Sequence, residues 1–282
     1  SFIVSYSEYS ITNNGTITNT GNITINNINA SFTNTGTITT SGTIYIYGAF
    51  TNTGTIYNSG TITNTLITNN SGTIYNSLGT IDNQATFTNS GTIDNTGGII
   101  DNQCGAVYSG TAPTGNSINN IACPVNTVIS DQSSCESAPI SGVWDIGTST
   151  CTVSSLTINS IDSITIGGIT LVNSGTITNN GEIINSGIFN NTITINNSGT
   201  IINSPGATIN NPGTINNTGT ITNYSFNNGG ISNTNTIIND GTIINEDTVT
   251  NTGTITNNDN IENYGTIDNT GGIIDNHCGA VY

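Results

Sequence analysis

The chain has 282 residues, a formal net charge of −16 at pH 7, and neither lysine nor arginine. Nucleic acids and anionic membranes are usually bound through basic residues, so this composition excludes the ordinary means of recognising either of them. Hydrophobic residues make up only 33% of the chain, but they recur at regular intervals, which argues against disorder.

Residues 1–31 begin a repeat less regularly than the rest of the chain. Ile11, Ile17 and Ile23 lie six residues apart, and residues 26–30 then interrupt the spacing. Residues 2–6 are apolar and aromatic enough to form either an end turn or a strand that pairs with a neighbouring molecule.

From residue 30 to residue 62 every sixth residue is large and apolar, namely Phe32, Ile38, Ile44, Phe50, Ile56 and Ile62. Strand side chains alternate between two faces, so one inward hydrophobe per six residues indicates a strand that turns a corner after each hexad. Phe32 and Phe50 are separated by three hexads, or 18 residues (50 − 32). The sequence therefore predicts an all-β fold, a parallel β-helix (β-solenoid) with about 18 residues per three-sided turn.

Stacked turns of this length predict three interior columns of side chains. These are Phe32, Phe50, Ile67 and Phe87; Ile38, Ile56, Ile74 and Ile93; and Ile44, Ile62, Ile81 and Ile99. Asparagines that follow an apolar residue by two positions also point inward, and we expect their amides to bond to one another and to the backbone. They are Asn58, Asn64, Asn76, Asn83, Asn89 and Asn95.

A long internal repeat divides the chain. Residues 91–108 read GTIDNTGGIIDNQCGAVY, and residues 265–282 differ only in having His277 in place of Gln103, at an offset of 174 (277 − 103). Repetition at this scale indicates an array or an internal duplication. We predict a first solenoid block at 1–108, a connector at 109–155 that contains cysteines and prolines, and a second solenoid block at 156–282.

The five cysteines indicate an oxidising, extracytoplasmic location. Four of them are predicted to form disulfides that staple the connector. The pairing chosen is Cys123 with Cys135 and Cys104 with Cys151, although connectivity cannot be deduced from sequence alone. Cys278 is then either free or bonded to another molecule.

Asn-x-Ser/Thr triplets are candidate glycosylation sites, although an Asn- and Thr-rich chain also generates them by chance. They occur at Asn14, Asn22, Asn29, Asn69, Asn190, Asn196, Asn216 and Asn223.

No catalytic or cofactor-binding residue is predicted. The single histidine, His277, stands beside Cys278, and neighbouring strand residues point to opposite faces rather than into one site. Asp94, Asp101, Asp268 and Asp275 are candidate ligands for a structural calcium ion, which takes carboxylate oxygens. A carbohydrate-cleaving enzyme would usually also have a basic residue to stabilise developing negative charge, so we expect no enzymatic activity.

Outward Thr-x-Thr triplets such as Thr37-Ile38-Thr39 and Thr254-Ile255-Thr256 are typical of ice-binding solenoids. In the first block, however, the triplet through Ile38 is followed in the predicted column by Thr55-Ile56-Tyr57 and Thr73-Ile74-Tyr75. Bulky side chains would interrupt the flat surface, and solvated strand faces explain threonine equally well.

The Asn-x-Gly-Gly-x-Ile pattern that begins at Asn95 and again at Asn269 resembles the repeats of filamentous-haemagglutinin-type surface proteins. The broader Gly-Thr-Ile-x-Asn pattern is similar to Asn- and Thr-rich repeat proteins of bacterial and archaeal cell surfaces. The resemblance implies a long extracellular β-helix that serves as an adhesin, fibre or sheath. We predict a self-associating structural protein of a prokaryotic cell surface, subunit of a filament or layer, and keep the stalk of a monomeric adhesin as the alternative.

Overall fold

A computed structural model describes residues 2–4, 10–225 and 229–277 of the chain, with side chains from residue 10 onward. The chain is an all-β parallel β-solenoid with about 14 turns and about 19 residues per turn. It divides into two compact units, Ser1–Cys123 (unit 1) and Pro124–Tyr282 (unit 2).

Unit 1 has three faces, each a parallel sheet in which every strand pairs with strands of the turns before and after it. The first face contains β1 (Phe2–Val4), β4 (Asn22–Ile25), β7 (Thr43–Ile46), β10 (Thr61–Asn64), β13 (Thr80–Asn83), β16 (Ile99–Asn102) and β19 (Asn119–Asn120). The second contains β2 (Ser10–Asn13), β5 (Ser31–Asn34), β8 (Ala49–Asn52), β11 (Ile67–Asn70), β14 (Thr86–Asn89) and β17 (Val107–Gly110). The third contains β3 (Thr16–Asn19), β6 (Thr37–Thr40), β9 (Thr55–Asn58), β12 (Thr73–Asn76), β15 (Thr92–Asn95) and β18 (Thr114–Gly115).

Unit 2 repeats this arrangement after a short helix, α1 (Gln132–Glu136). One face contains β20 (Asn126–Ile129), β23 (Ser163–Ile166), β25 (Glu182–Asn185), β28 (Thr200–Asn203), β31 (Thr220–Asn223), β34 (Thr242–Asn245) and β37 (Asn260–Asn263). The other two faces are joined by the long β22 (Thr150–Ile158) and β24 (Thr170–Asn179), and β21 (Val143–Asp145) pairs with β22 in the antiparallel direction. One of them continues through β26 (Ile188–Asn191), β29 (Thr208–Asn211), β32 (Gly230–Asn233), β35 (Thr248–Asn251) and β38 (Thr266–Asp268). The other continues through β27 (Thr194–Asn197), β30 (Thr214–Asn217), β33 (Thr236–Asn239), β36 (Thr254–Asn257) and β39 (Ile273–Asn276).

Most strands are four residues long, and their second and fourth side chains point inward. In β9, for example, Ile56 and Asn58 are buried, whereas Thr55 and Tyr57 face out. The β-branched residues suit the extended backbone, and the alternation puts one isoleucine and one asparagine inside each strand. The predicted three-sided parallel solenoid is thereby confirmed.

Two members of the predicted interior columns are wrong. Thr68, not Ile67, pairs with Phe50 and Phe87 inside the second face, and Ile67 is 42% exposed. Ile100, not Ile99, pairs with Ile81, and Ile99 is 53% exposed. The register in which the stacked strands pair sets which residue points into the core. A slip of one position would turn every side chain of the strand to the opposite face.

Extra residues are absorbed at the corners. Leu78 and Gly97 have φ of 65° and 79°, a left-handed conformation that lets a corner hold one more residue without shifting the strands around it. Turn length consequently varies: the ladder bond from Asn52 to Asn70 spans 18 residues, and the one from Asn211 to Asn233 spans 22.

Buried asparagines form continuous amide ladders along the inside corners, as predicted. In unit 1 the Nδ2 of Asn34 donates to Oδ1 of Asn52 at 2.7 Å, Asn52 donates to Asn70, and Asn70 donates to Asn89. Each Nδ2 also approaches a corner carbonyl, so one side chain joins two turns and satisfies the backbone where the strand ends. The ladders of unit 2 are built in the same way, for example from Asn173 through Asn191, Asn211, Asn233 and Asn251.

Two ladder ends lack a partner. The Oδ1 atoms of Asn64 and Asn179 are buried without a hydrogen bond. In the preceding turn their strand partners are Ile46 and Ile158, which have no amide to donate. Each ladder therefore begins where an isoleucine gives way to asparagine.

Residues 109–155 do not form a separate unit between the solenoids, which differs from the predicted connector. Residues 109–123 lie in unit 1, where β17, β18 and β19 continue its three faces. Residues 124–155 lie in unit 2, where α1 packs against β20, β21 and β22 at the start of the solenoid. Each of these two segments contributes to one disulfide.

Candidate functional site

All four cysteines predicted to form disulfides do so, but the predicted pairing is wrong. Cys104 bonds to Cys123, and Cys135 bonds to Cys151. Cys104 follows β16 and Cys123 follows β19, which lies directly on β16, so a separation of 19 residues brings one corner above the other. The second bond ties α1 to β22 in the core of unit 2. Cys278 lies outside the described residues.

Amide and hydroxyl groups take the place of cations around the carboxylates. Gln103 and Gln84 donate to the two oxygens of Asp82 at 2.7 and 2.6 Å, and Asn119 donates to Asp101 at 2.9 Å. Because the chain has neither lysine nor arginine, these hydrogen bonds are how the faces accommodate negative charge.

Asp94 and Asp268 occupy equivalent places in the two copies of the long repeat. The hydroxyl and backbone N–H of Thr96 donate to Asp94, and those of Thr270 donate to Asp268. These hydrogen bonds, the hydroxyl one first, lower the pKa of both carboxyl groups. They also occupy the Oδ1 atom of each aspartate, so both side chains close a local turn.

The four candidate calcium ligands are not gathered into one site. Asp94 lies on β15 and Asp101 on β16, which belong to different faces, and Asp268 and Asp275 are divided between β38 and β39. Within residues 2–4, 10–225 and 229–277 there is no group of three or more His, Cys, Asp or Glu side chains that could hold a metal ion. Calcium binding stays a prediction.

His277 lies beside Asp275, with 3.4 Å between Nε2 and Oδ2, and both side chains are more than half exposed. No hydroxyl or thiol nucleophile of the described residues is bonded to this histidine in the structure. The pair therefore has the character of a solvent-exposed surface contact.

The candidate glycosylation asparagines differ in access. Asn14, Asn22, Asn29, Asn69 and Asn196 are exposed, and Asn190 and Asn216 are half-buried. Asn223 is fully buried, and its Nδ2 donates to Asn245 at 2.7 Å. An enzyme cannot reach that nitrogen in the folded chain, so Asn223 is not a site on the folded protein.

The third face of unit 1 carries the threonines that suggested ice binding. Its outermost column is unbroken through Thr16, Thr37, Thr55, Thr73 and Thr92. The parallel column runs from Thr39 to Tyr57, Tyr75 and Asp94, and the two tyrosine rings stack with centroids 5.0 Å apart. The predicted interruption is present, and this face does not offer the flat double row of threonines.

A cavity of about 340 Å³ opens near the start of unit 2, among residues that include Val125, Pro139, Ile158 and Ile164. Its one carboxylate, Asp162, accepts hydrogen bonds from the backbone N–H of Val125 at 2.8 Å and from Asn159 Nδ2 at 2.8 Å. These bonds lower the pKa of Asp162, the backbone one most. A single carboxylate held in this way anchors a strand start, whereas glycoside hydrolysis uses a facing pair.

The turns at 91–108 and 265–277 have nearly the same sequence but differ in burial among the described residues. In unit 1, Ile93 and Ile100 are each 1% exposed beneath β18 and β19. In unit 2 the equivalent Ile267 and Ile274 are only half-buried. Among the described residues β37, β38 and β39 each pair with a strand of the preceding turn and with none beyond it. The surface formed by β37, β38 and β39 is where a further turn would stack, and it is the candidate functional site.

The fold defines a solenoid repeat protein built around interior isoleucine columns and amide ladders. The family model of the haemagglutinin repeat matches residues 152–191 and 184–276. Those residues of unit 2 are similar to haemagglutinin repeats, in agreement with the resemblance to filamentous-haemagglutinin-like repeat proteins. Comparison with curated proteins found no match, and neither did comparison with solved structures.

This similarity carries coarse functional information. Haemagglutinin repeats are typical of secreted or surface proteins with an adhesin-like or structural role, and solenoids of this kind are typically non-enzymatic. No helix among the described residues is long and apolar enough to cross a membrane.

Proposed function

We propose that this protein is an extracellular structural subunit whose solenoids associate through their ends and edges into a filament, fibre or sheath. The observation that carries the proposal is the stacking of the turns, in which each turn covers the strand edges of the turn before it. A further turn from another copy would stack on β37, β38 and β39, against the half-buried isoleucines Ile267 and Ile274. Strand edges and exposed apolar side chains are the features through which β-proteins add further strands.

Charge adds a condition to this assembly. Copies with a net charge of −16 repel one another, and Asp268 and Asp275 lie on β38 and β39, where the further turn would stack. Salt shortens the range of this repulsion, so association through the end is expected to strengthen with ionic strength.

Sedimentation velocity and negative-stain electron microscopy test the proposal. In about 0.5 M salt we expect larger particles and elongated assemblies at a protein concentration that leaves monomers in about 0.02 M salt. Ile274→Asn should weaken association by placing a polar group in the contact. Ile188→Asn is the matched control, because Ile188 is 42% exposed on an outward face of unit 2, away from its end. Monomers under all conditions, or equal effects of the two substitutions, would refute assembly through the end.

The second candidate is the stalk of a monomeric adhesin that binds glycans elsewhere, which the haemagglutinin-repeat match favours. Non-reducing electrophoresis of native material separates the two. A ladder of sizes that collapses on reduction supports polymerisation through a cysteine, and a single long species supports the stalk.

Two accessory features belong to the same proposal. Covalent glycans on the exposed sequon asparagines would be detected as mass shifts on their peptides. A structural calcium ion would raise the temperature of unfolding when calcium replaces a chelator, and magnesium at the same concentration controls for screening alone.

A further inference from the structure

The cavity near the start of unit 2 lies where the interior of the solenoid reaches the surface. Thr127 of β20 occupies an inward strand position and pairs with Ile164 of β23 in the next turn. Ile158 and Ile164 are 1% and 3% exposed, and they form the apolar floor of the cavity. Val125 and Pro139 add further apolar lining. A molecule that enters the cavity therefore meets the first side chains of the buried core.

The size and lining of this cavity are those of a small-molecule site. Its volume is about 340 Å³, and ligand pockets in proteins typically measure about 300–1,000 Å³. Such pockets combine mainly apolar walls with a few polar groups that fix the orientation of the ligand. Here the polar residues are Thr127, Thr157, Asn159 and Asp162.

Asp162 is the one charged residue among the described residues that line the cavity. The backbone N–H of Val125 donates to its Oδ1, and Asn159 Nδ2 donates to its Oδ2, each at 2.8 Å. These bonds fix the carboxylate and lower its pKa, so it is ionised at neutral pH. A carboxylate has about four acceptor positions, and donors of a ligand can therefore still bond to it.

The chain cannot supply a lysine or arginine partner for this carboxylate, because the sequence contains neither residue. Its single histidine, His277, lies beside Asp275. Apolar walls strengthen the attraction between a carboxylate and a cation that enters beside it. The net charge of −16 also draws cations towards the protein over a longer range. Both effects favour a cationic ligand.

The lining also distinguishes between kinds of cation. Quaternary ammonium groups are typically bound by aromatic rings, and none of the described residues that line the cavity is aromatic. A calcium ion takes six to eight oxygen ligands, and the cavity offers one carboxylate. A primary ammonium group has three N–H donors, which suit the oxygens of Asp162 and a threonine hydroxyl.

We propose that this cavity binds a small aliphatic primary amine in its ammonium form. The ammonium group donates to Asp162, and the alkyl chain lies against Ile158 and Ile164. Burial of that chain on the apolar floor adds to the electrostatic attraction. This binding site goes beyond the proposed function, because it lies within unit 2 and does not depend on the association of copies.

Isothermal titration calorimetry of the whole chain with n-pentylammonium tests the site. The neutral analogue n-pentanol keeps the alkyl chain without the charge, and ammonium chloride keeps the charge without the chain. We expect n-pentylammonium to bind at least about tenfold more tightly than either of them. The amide signal of Val125 should shift in NMR spectra when n-pentylammonium binds, because that N–H donates to Asp162.

Variants assign the binding to the cavity. Asp162→Asn should weaken n-pentylammonium binding about tenfold and leave n-pentanol binding unchanged. Asp145→Asn is the matched control: Asp145 accepts from the backbone N–H of Gly147 and the hydroxyl of Thr148, at 2.9 and 2.8 Å, but does not line the cavity. It should leave the affinity unchanged.

A second variant removes space instead of charge. Ala138 is an exposed residue of the lining, so Ala138→Leu should fill part of the cavity without disturbing the core. Binding of n-pentylammonium should then weaken although Asp162 is intact. Circular dichroism of each variant confirms that it is folded.

Three results would overturn the inference. The first is equal affinity for n-pentylammonium and n-pentanol, which would remove the role of the charge. The second is equal loss of binding in Asp162→Asn and Asp145→Asn, which would indicate general attraction of cations to an acidic protein. The third is binding of tetramethylammonium as tight as that of n-pentylammonium, which would show that the N–H donors are not recognised.

Discussion

The interior of the amide ladder offers the sharpest test of how this solenoid is held together. Asn70 is 1% exposed, and it accepts from Asn52 and donates to Asn89, each at 2.7 Å. Asn70→Asp keeps the shape of the side chain but replaces the donor with an anion that faces the Oδ1 of Asn89. Its neighbour Asn69 is exposed on the outer surface, so Asn69→Asp adds the same charge in solvent.

The magnitude follows from what the substitution leaves behind. One ladder bond and two longer contacts to carbonyl oxygens, of Gly72 and Thr92, are lost, and the buried carboxylate keeps a single side-chain donor, Asn52 Nδ2. Breaking a buried charged or hydrogen-bonded pair in this way costs about 3–5 kcal/mol. For Asn69→Asp we expect a change within about 0.5 kcal/mol.

Chemical denaturation followed by circular dichroism measures both changes, and hydrogen exchange assigns them to unit 1. Burial raises the folded-state pKa of the introduced carboxyl group above its unfolded value. Protonation therefore restores stability as the pH falls, and the deficit of Asn70→Asp should shrink towards pH 4 and below and be complete at neutral pH. Equal stability of the two variants at pH 7 would refute the view that the ladder holds the turns together.

Three further predictions follow from single positions. Thr68→Val should stabilise unit 1 by about 1–2 kcal/mol in the same denaturation assay, because the buried Oγ1 of Thr68 has no hydrogen-bond partner. Thr51→Val, on the outer side of the same sheet, should be nearly neutral. Gly54→Ala should strongly destabilise unit 1, because the added Cβ would overlap a carbonyl oxygen of the turn before. Gly15→Ala, with open space around the position, should be tolerated. Equal melting temperatures of the two variants would contradict the stacking. The pKa of Asp162 is lowered, so its contribution to stability is present above the unfolded value near 3.8 and is lost as the pH falls below it; Asp162→Asn should accordingly lose less stability than the unmodified chain between neutral pH and pH 2–3.

Only part of the candidate site could be predicted from the sequence. The copy of residues 91–108 at 265–282 shows that one turn recurs in both units, but sequence alone does not show that residues 109–123 lie over the first copy. That depends on β18 and β19 lying on β15 and β16, which are long-range pairings. The disulfide pairing was wrong for the same reason: the predicted bonds treated residues 109–155 as one stapled insert, whereas each half closes the end of its own unit.

The sequence by itself determined the repeating strand, the three-sided turn and the inward amides, because one isoleucine and one asparagine at fixed spacing can be buried together only by a chain that turns every sixth residue. The tertiary structure decided which of two neighbouring residues points into the core. It placed Thr68 inside instead of Ile67, and Ile100 instead of Ile99. Burial of one larger side chain is worth about 1–2 kcal/mol, which is less than the loss of every ladder bond and strand pairing that a one-residue slip would cause. The stacked backbone therefore sets the register, and the corners at Leu78 and Gly97 take up the residues that do not fit it.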